Sequence, residues 1–295
     1  MSPPPVSDKP VERPPLPEPL PATVIDDHTH LEPRDLVDFA FGDDLPGLDS
    51  ALVDLDDATS VGVTGVVQVG TDLATSRWSV ALAEADSRVL AAIAIHPNDA
   101  PALAEAGRLD DSLSELDALA ARDRVRAIGE TGLDFFRTGE DGLAAQIASF
   151  EGHIEIAKRH GLALQIHDRD AHEAVEALLA RVGAPERTVL HCFSGDAAFA
   201  RRAVDAGWYL SFAGTVTFGN APALREALAV TPRDRILLET DAPYLTPHPF
   251  RGRRNAPAMA AVTLRRMAEE LGEDPAVLAA QIAANSEAVY GAWGS

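Results

Sequence analysis

Six apolar runs of this 295-residue chain end in a side chain that can hold a metal ion or move a proton. TVIDDHTH (23–30) closes on His28 and His30, VLAAIAIH (89–96) on His96, and VRAIGETG (125–132) carries Glu130 near its end. LALQIHD (162–168) ends in His167, TVLHCF (188–193) in His191, and RILLETD (235–241) in Asp241. Neutral imidazoles and carboxylates together are the ligand set of Zn²⁺, Mn²⁺ or Fe²⁺ sites. In a strand, side chains two apart share a face, so Asp26, His28 and His30 are expected to point into one interior and Asp27 and Thr29 away from it. An HxH pair alone carries little weight, because composition yields one about 0.3 times by chance. The weight lies in the set. Burying four histidines and two carboxylates together without a cation is costly, so the joint reading is a metal site.

Residues this far apart in sequence converge only if the elements carrying them are parallel. Two further apolar runs, VTGVVQVG (63–70) and GWYLSFAG (207–214), bring the total to eight. Helical periodicity marks Leu73–Ala85, Pro101–Ala121, Leu143–His160, Ala171–Val182, Ala197–Ala206 and Ala221–Val230. Eight alternating units predict an α/β fold of one domain, a (β/α)8 TIM barrel, whose strand ends open on a single face. A doubly wound open sheet is the alternative; it usually has fewer strands and often a Gly-rich nucleotide turn, and neither GxGxxG nor GxxxxGK[ST] occurs. A helix is expected over Asp49–Ser60 after an irregular loop, with closing helices over 256–271 and 274–291. Residues 1–21 hold nine of the 21 prolines and read as a flexible, partly extended arm, leaving 22–295 for the barrel.

Composition narrows the function. Hydrophobic residues at 46% and charged residues at 24% describe a globular chain, of a length that suits one barrel. No run approaches the roughly 20 apolar residues of a membrane span, and the first 21 residues lack the apolar core of a secretory signal. The single cysteine, Cys192, rules out an internal disulfide and fits a reducing compartment, so a cytoplasmic protein is expected. A net charge of −21 repels polyanions and excludes a general DNA-coating protein, but not an enzyme whose positive charge is confined to a cleft. The two lysines, Lys9 and Lys158, lie away from the strand ends, so neither a carboxylated-lysine metal bridge nor Schiff-base chemistry is available.

The motifs IDDHTHL, AIHP, AIGETGLDFF, IHDRDA, HCFSG, SFAGTVTF and RILLETDAPYLTP, followed by FRGRRNAP, resemble in type and order the TatD family of metal-dependent deoxyribonucleases, within the amidohydrolase superfamily. The resemblance spans about residues 23–291. It implies two divalent metal ions (Mg, Mn or Zn), with His28, His30, Glu130 and Asp241 on the first and Glu130, His167 and His191 on the second. Glu130 then bridges, and Asp241 is a candidate general base. It also implies a phosphodiester hydrolase, an exonuclease with DNA as the nucleic acid substrate, and no membrane partner. Arg251, Arg253 and Arg254, together with His96 and Arg169, are candidate substrate contacts, since guanidinium groups match phosphate bidentately. A small-molecule amidohydrolase or lactonase on the same barrel, and a non-catalytic binding barrel, are the competing readings. Asp27 and Thr131 depart from the family pattern and are not expected at the metal. His153, His160, His172 and His248 are expected on the surface, and Asn285 is expected to dock the last helix.

Overall fold

The computed structural model describes residues 12–36, 39–42 and 44–293. Eight parallel strands, β1 (Val24–Thr29), β2 (Val63–Val69), β3 (Val89–Ile93), β4 (Val125–Asp134), β5 (Ala163–Arg169), β6 (Thr188–Leu190), β7 (Tyr209–Phe212) and β8 (Ile236–Leu238), pair in sequence order. The seam between β8 and β1 is closed by main-chain bonds from the amide of Asp241 to the carbonyl of His28 (2.9 Å) and from the amide of His30 to that of Ala242 (2.8 Å). The barrel expected from the alternating runs is therefore present: a (β/α)8 TIM barrel.

Around it lie α1 (Leu48–Ser60), α2 (Leu73–Ala85), α3 (Ala100–Glu105), α4 (Leu109–Leu119), α5 (Glu140–His160), α6 (His172–Val182), α7 (Ala197–Asp205), α8 (Pro222–Val230), α9 (Ala260–Leu271) and α10 (Pro275–Tyr290). Local chemistry sets several bounds. Asp72 accepts the Thr75 amide at 2.7 Å while the Thr75 hydroxyl accepts the Asp72 amide at 3.0 Å, a reciprocal cap that starts α2. α5 begins with Glu140 and Asp141, ends with Lys158, Arg159 and His160, and stops at Gly161 in the left-handed region. The single helix expected over Pro101–Ala121 is two, because Gly107 takes φ 67° between α3 and α4.

The barrel interior holds Val67, Val69, Leu90, Ala92, Ala127, Ala163, Val189 and Leu237, capped from below by Tyr290 of α10 with Trp293. A larger apolar layer packs the helices onto the outside of the strands. Asn285 donates to the carbonyls of Arg233 and Ile236, both at 2.7 Å, so α10 is docked against the start of β8 as expected. In the Pro-rich arm, residues 12–21 follow the barrel wall. The Arg13 guanidinium lies 2.7 Å from the buried Asp54 carboxylate of α1, Leu20 donates to the Val61 carbonyl, and Arg265 donates to Glu18 and Pro19 carbonyls. Residues 1–11 lie outside the described residues. Among the described residues no helix is long and apolar enough to cross a membrane.

Candidate metal centre

Three residues of the site lie just past their strands, where the backbone turns. β3, β6 and β8 end before His96, His191 and Asp241, so these three lie in the first residues of the following loops. Asp241 (φ 53°) and Cys192 (φ 43°), the residue after His191, adopt left-handed backbone that L-residues hold only when their surroundings compel it. Glu130 is aimed differently. Ile128 pairs with Leu164 but Thr131 with Ile166, so β4 carries an extra residue at Gly129–Glu130 and bulges there. Gly132 makes the close approach to β5 possible, because a Cβ on it would collide with the His167 carbonyl oxygen.

These elements bring His28, His30, Glu130, His167, His191 and Asp241 together with His96 at the strand-end mouth of the barrel. His191 Nε2 lies 2.6 Å and His167 Nδ1 3.2 Å from Glu130 Oε2. His96 Nε2 lies 3.7 Å and His30 Nε2 4.0 Å from Glu130 Oε1, while His30 Nε2 is 3.6 Å from Asp241 Oδ1. Three groups are compact enough to hold a cation: His28 with His30 and Asp241, His28 with Glu130 and His191, and His96 with Glu130 and His167. His28 belongs to two of them because its ring stacks on that of His191, centroids 3.9 Å apart.

The donor set fits a cation on its own chemistry. His30 Nδ1 sits 2.9 Å from the Val69 carbonyl, which only accepts, so that nitrogen carries a proton and in the neutral ring Nε2 presents a lone pair. It presents it to His28 Nε2, 3.3 Å away, while His28 Nδ1 is buried without a partner. Two facing nitrogens are satisfied by a shared cation. Electrostatics agree: burial works to raise the Glu130 carboxyl, yet His191, His96 and His167 outweigh it and hold it well below the ordinary value. Burial works to lower His191, but Glu130 and Glu239 draw it well above its ordinary value. The site binds positive charge.

His96 is set apart from the ligands. Its Nδ1 accepts the Asn98 amide at 3.1 Å, so in a neutral ring the proton is on Nε2, the nitrogen facing Glu130. Burial lowers its pKa to about 4, so the ring stays neutral and offers an N–H to the cavity rather than a lone pair.

Other residues support the centre without having been singled out from sequence. Glu239, fully buried, faces His191 Nδ1 at 3.3 Å, and Asp134 faces His167 Nε2 at 3.3 Å. The Asp134 hydrogen bond fixes which His167 nitrogen turns to the centre, and the Glu239 charge favours a proton on His191 Nδ1. Glu239 had a legible signal, the two-residue spacing to Asp241 that made the His28 and His30 pair conspicuous. Asp134 had none.

Asp27 corrects the face expected for β1. Register shifts on both sides of Ile25–Asp26 turn Asp27 into the barrel interior, where it accepts from Ser211 Oγ (2.8 Å) and Tyr290 Oη (3.2 Å) below the centre. Asp26 instead accepts the Thr240 amide and hydroxyl, stitching β1 to the end of β8; burial pushes its pKa up to about 8. His153 corrects another expectation. It is fully buried rather than on the surface of α5, accepting the Ile95 amide at 2.9 Å through Nε2 while Nδ1 donates to Ser149.

A cavity of about 720 Å³ opens over the centre, and its wall includes His96, Arg137, Arg169, Tyr244 and Asp241. Arg251, Arg253 and Arg254, expected as substrate contacts, are not among the residues lining that cavity. Arg251 stacks on Phe218 at 4.2 Å, Arg253 lies 3.7 Å from Glu12 of the arm, and Arg254 lies 4.0 Å from Asp54.

Residues 25–291 match the family model of TatD related DNase. The uncharacterized metal-dependent hydrolase TatD of Mycobacterium tuberculosis is 44% identical over 272 residues, covering 91% of this chain and 98% of its own length. The 3'-5' ssDNA/RNA exonuclease TatD of Citrobacter rodentium is 36% identical over 240 residues, 79% of this chain and 89% of its own. The crystal structure of YJJV, a TatD homologue from Escherichia coli K12, superposes with a TM-score of 0.78 at 29% identity, covering 91% of this chain and 98% of that one. With the barrel, the His, Glu and Asp clusters at its mouth and these relatives in agreement, this chain belongs to the TatD-related DNase family and is a metal-dependent hydrolase.

Proposed function

We propose that the chain hydrolyses phosphodiester bonds at the ends of DNA strands, as an exonuclease whose centre takes two divalent cations, Mg²⁺, Mn²⁺ or Zn²⁺. His28, His30, Glu130 and Asp241 would hold one cation, and Glu130, His167 and His191 the other. When bound, such cations lower the pKa of a water and offset the negative charge of a phosphate. The observation that carries the reading is the donor set around Glu130, in a cavity with Arg137 and Arg169 on its wall, inside a molecule of net charge −21. Those two guanidinium groups are the positive charge a phosphate meets in the cavity.

His96 donates its Nε2–H to a non-bridging phosphate oxygen. Asp241 accepts a proton from the attacking water as the new P–O bond forms; the ester P–O bond breaks, and the leaving oxygen takes up a proton. Glu239 and Asp134 keep His191 and His167 oriented throughout.

The test is hydrolysis of end-labelled single- and double-stranded DNA and of RNA by the metal-loaded and the chelator-stripped protein, beside a panel of lactones and cyclic amides. Metal-dependent release of terminal nucleotides supports the reading; turnover of lactones without nucleotide release refutes it. Asp241→Asn is expected to lower kcat on DNA by about 10²- to 10⁴-fold with metal in excess. Near-normal turnover would remove the proton-acceptor role.

A further inference from the structure

Seven large apolar side chains are exposed among the described residues, and three of them, Phe135, Phe136 and Tyr244, stand on the loops that leave β4 and β8 at the mouth of the cavity. Phe136 is 64% and Tyr244 61% exposed. Neither loop is short of charged residues, and an aromatic ring left in water there contributes no burial to the fold.

The two rings flank different parts of the centre. Tyr244 follows Asp241 by three residues, lies on the cavity wall and has its ring centroid 6.3 Å from that of His30. Phe136 belongs to the other side, two residues after Asp134, the partner of His167. The Arg169 guanidinium, itself on the cavity wall, lies 4.1 Å from its ring centroid. Arg169 covers one face of Phe136, and the exposure of the ring leaves the other to solvent. Each ring thus offers a flat π-surface at the edge of a cavity that carries arginines on its wall.

We infer that Phe136, backed by Arg169, and Tyr244 are stacking subsites for the nucleobases next to the phosphodiester being cleaved. The inference rests on the nuclease reading above and adds the side chains that hold the bases. Aromatic rings stack on any base, so the subsites do not read sequence. Bases within a duplex already stack on their neighbours and must come apart before they reach either ring. The arginines supply the charge that a phosphate backbone requires beside them.

The parent, Phe136→Ala, Tyr244→Ala and the ring-retaining Phe136→Tyr and Tyr244→Phe are compared on two single-stranded oligonucleotides of equal length. One carries bases throughout, and the other has two abasic residues at each end. KM is measured with metal, and binding by fluorescence anisotropy with the metal chelated. The parent is expected to favour the base-bearing strand, and each alanine variant to raise KM for that strand by about 5- to 100-fold, shrinking the ratio between strands. The ring-retaining variants keep it. Unchanged KM for the base-bearing strand, or an equal rise for the abasic strand, overturns the inference. If the parent cleaves neither strand, the nuclease reading fails instead and anisotropy decides the subsites. Tighter binding of the base-bearing strand that the alanine variants abolish supports them, and equal binding of both strands overturns them.

Discussion

At the scale of single residues, two carboxylates stand behind the imidazoles proposed as ligands. Glu239 is fully buried with its charge 3.3 Å from His191 Nδ1, and Asp134 hydrogen-bonds His167 Nε2, so both favour a proton on the nitrogen turned away from the centre. Glu239→Gln and Asp134→Asn keep shape but lose the charge that anchors the ring proton, and each is expected to weaken metal affinity about 10- to 100-fold. Competition titration against a chelating dye measures this, with a retained melting temperature excluding collapse of the fold; undiminished affinity would remove the orienting role. The arginines separate in the same way. Arg169 is on the cavity wall, whereas Arg253 pairs with Glu12 on the arm. Arg169→Ala is expected to raise KM for DNA, with an effect that shrinks at high salt because charge contacts at an open cavity are screened. Arg253→Ala is expected to leave KM within about twofold, the usual consequence of losing an exposed ion pair. Equal effects of the two variants on KM would contradict this assignment.

At the scale of elements, His153 ties α5 to the end of β3, the strand that leads into His96. Its Nε2 accepts the Ile95 amide, which requires that nitrogen to be unprotonated, and burial lowers its pKa from 6.5 to about 4. Between these values the unfolded chain binds the proton and the folded chain does not. Stability from this residue is thus complete above about pH 6.5 and falls as pH drops towards 4, by up to about 3 kcal/mol. In His153→Gln an amide oxygen replaces the accepting nitrogen and does not titrate in this range. Urea unfolding at pH 7 and pH 5 is expected to show a smaller loss in the variant than in the parent, and equal losses would sink the claim. The helix periodicity could not reveal this tie, because a histidine in a helix looks the same in sequence whether its partner is water or an amide 58 positions away.

At the scale of the whole molecule, an acidic chain must hold its acids apart or pair them. Asp54 is buried on α1 and meets two arginines from opposite ends of the chain, Arg13 of the arm at 2.7 Å and Arg254 of the loop after β8 at 4.0 Å. The arm thereby clasps the first helix to the last strand's loop. Arg13→Ala leaves that buried carboxylate with the more distant partner alone and is expected to cost on the order of 1–2 kcal/mol. Thermal melting measures it, and Asp54→Asn in the same background should recover part of the loss. If Arg13→Ala melts with the parent, the clasp contributes nothing to stability.

Strand number, alternation with helices and the side chains that cluster at the barrel mouth were legible in the sequence, because β-rich runs, helical periods and polar strand ends are local patterns. His28, His30, Glu130, His167, His191 and Asp241 could be named from the ends of those runs, and the eight runs implied the barrel that gathers them. Only the tertiary structure decided what each side chain faces. A β1 with register shifts on both sides of Ile25–Asp26 sends Asp27 inward against strict alternation, and a bulge in β4 aims Glu130. The Asn98 amide makes His96 a donor, and pairing with Glu12 and Asp54 takes Arg253 and Arg254 off the cavity wall. Register shifts, tautomers and ion pairs depend on neighbours distant in sequence, and a local pattern does not record those neighbours.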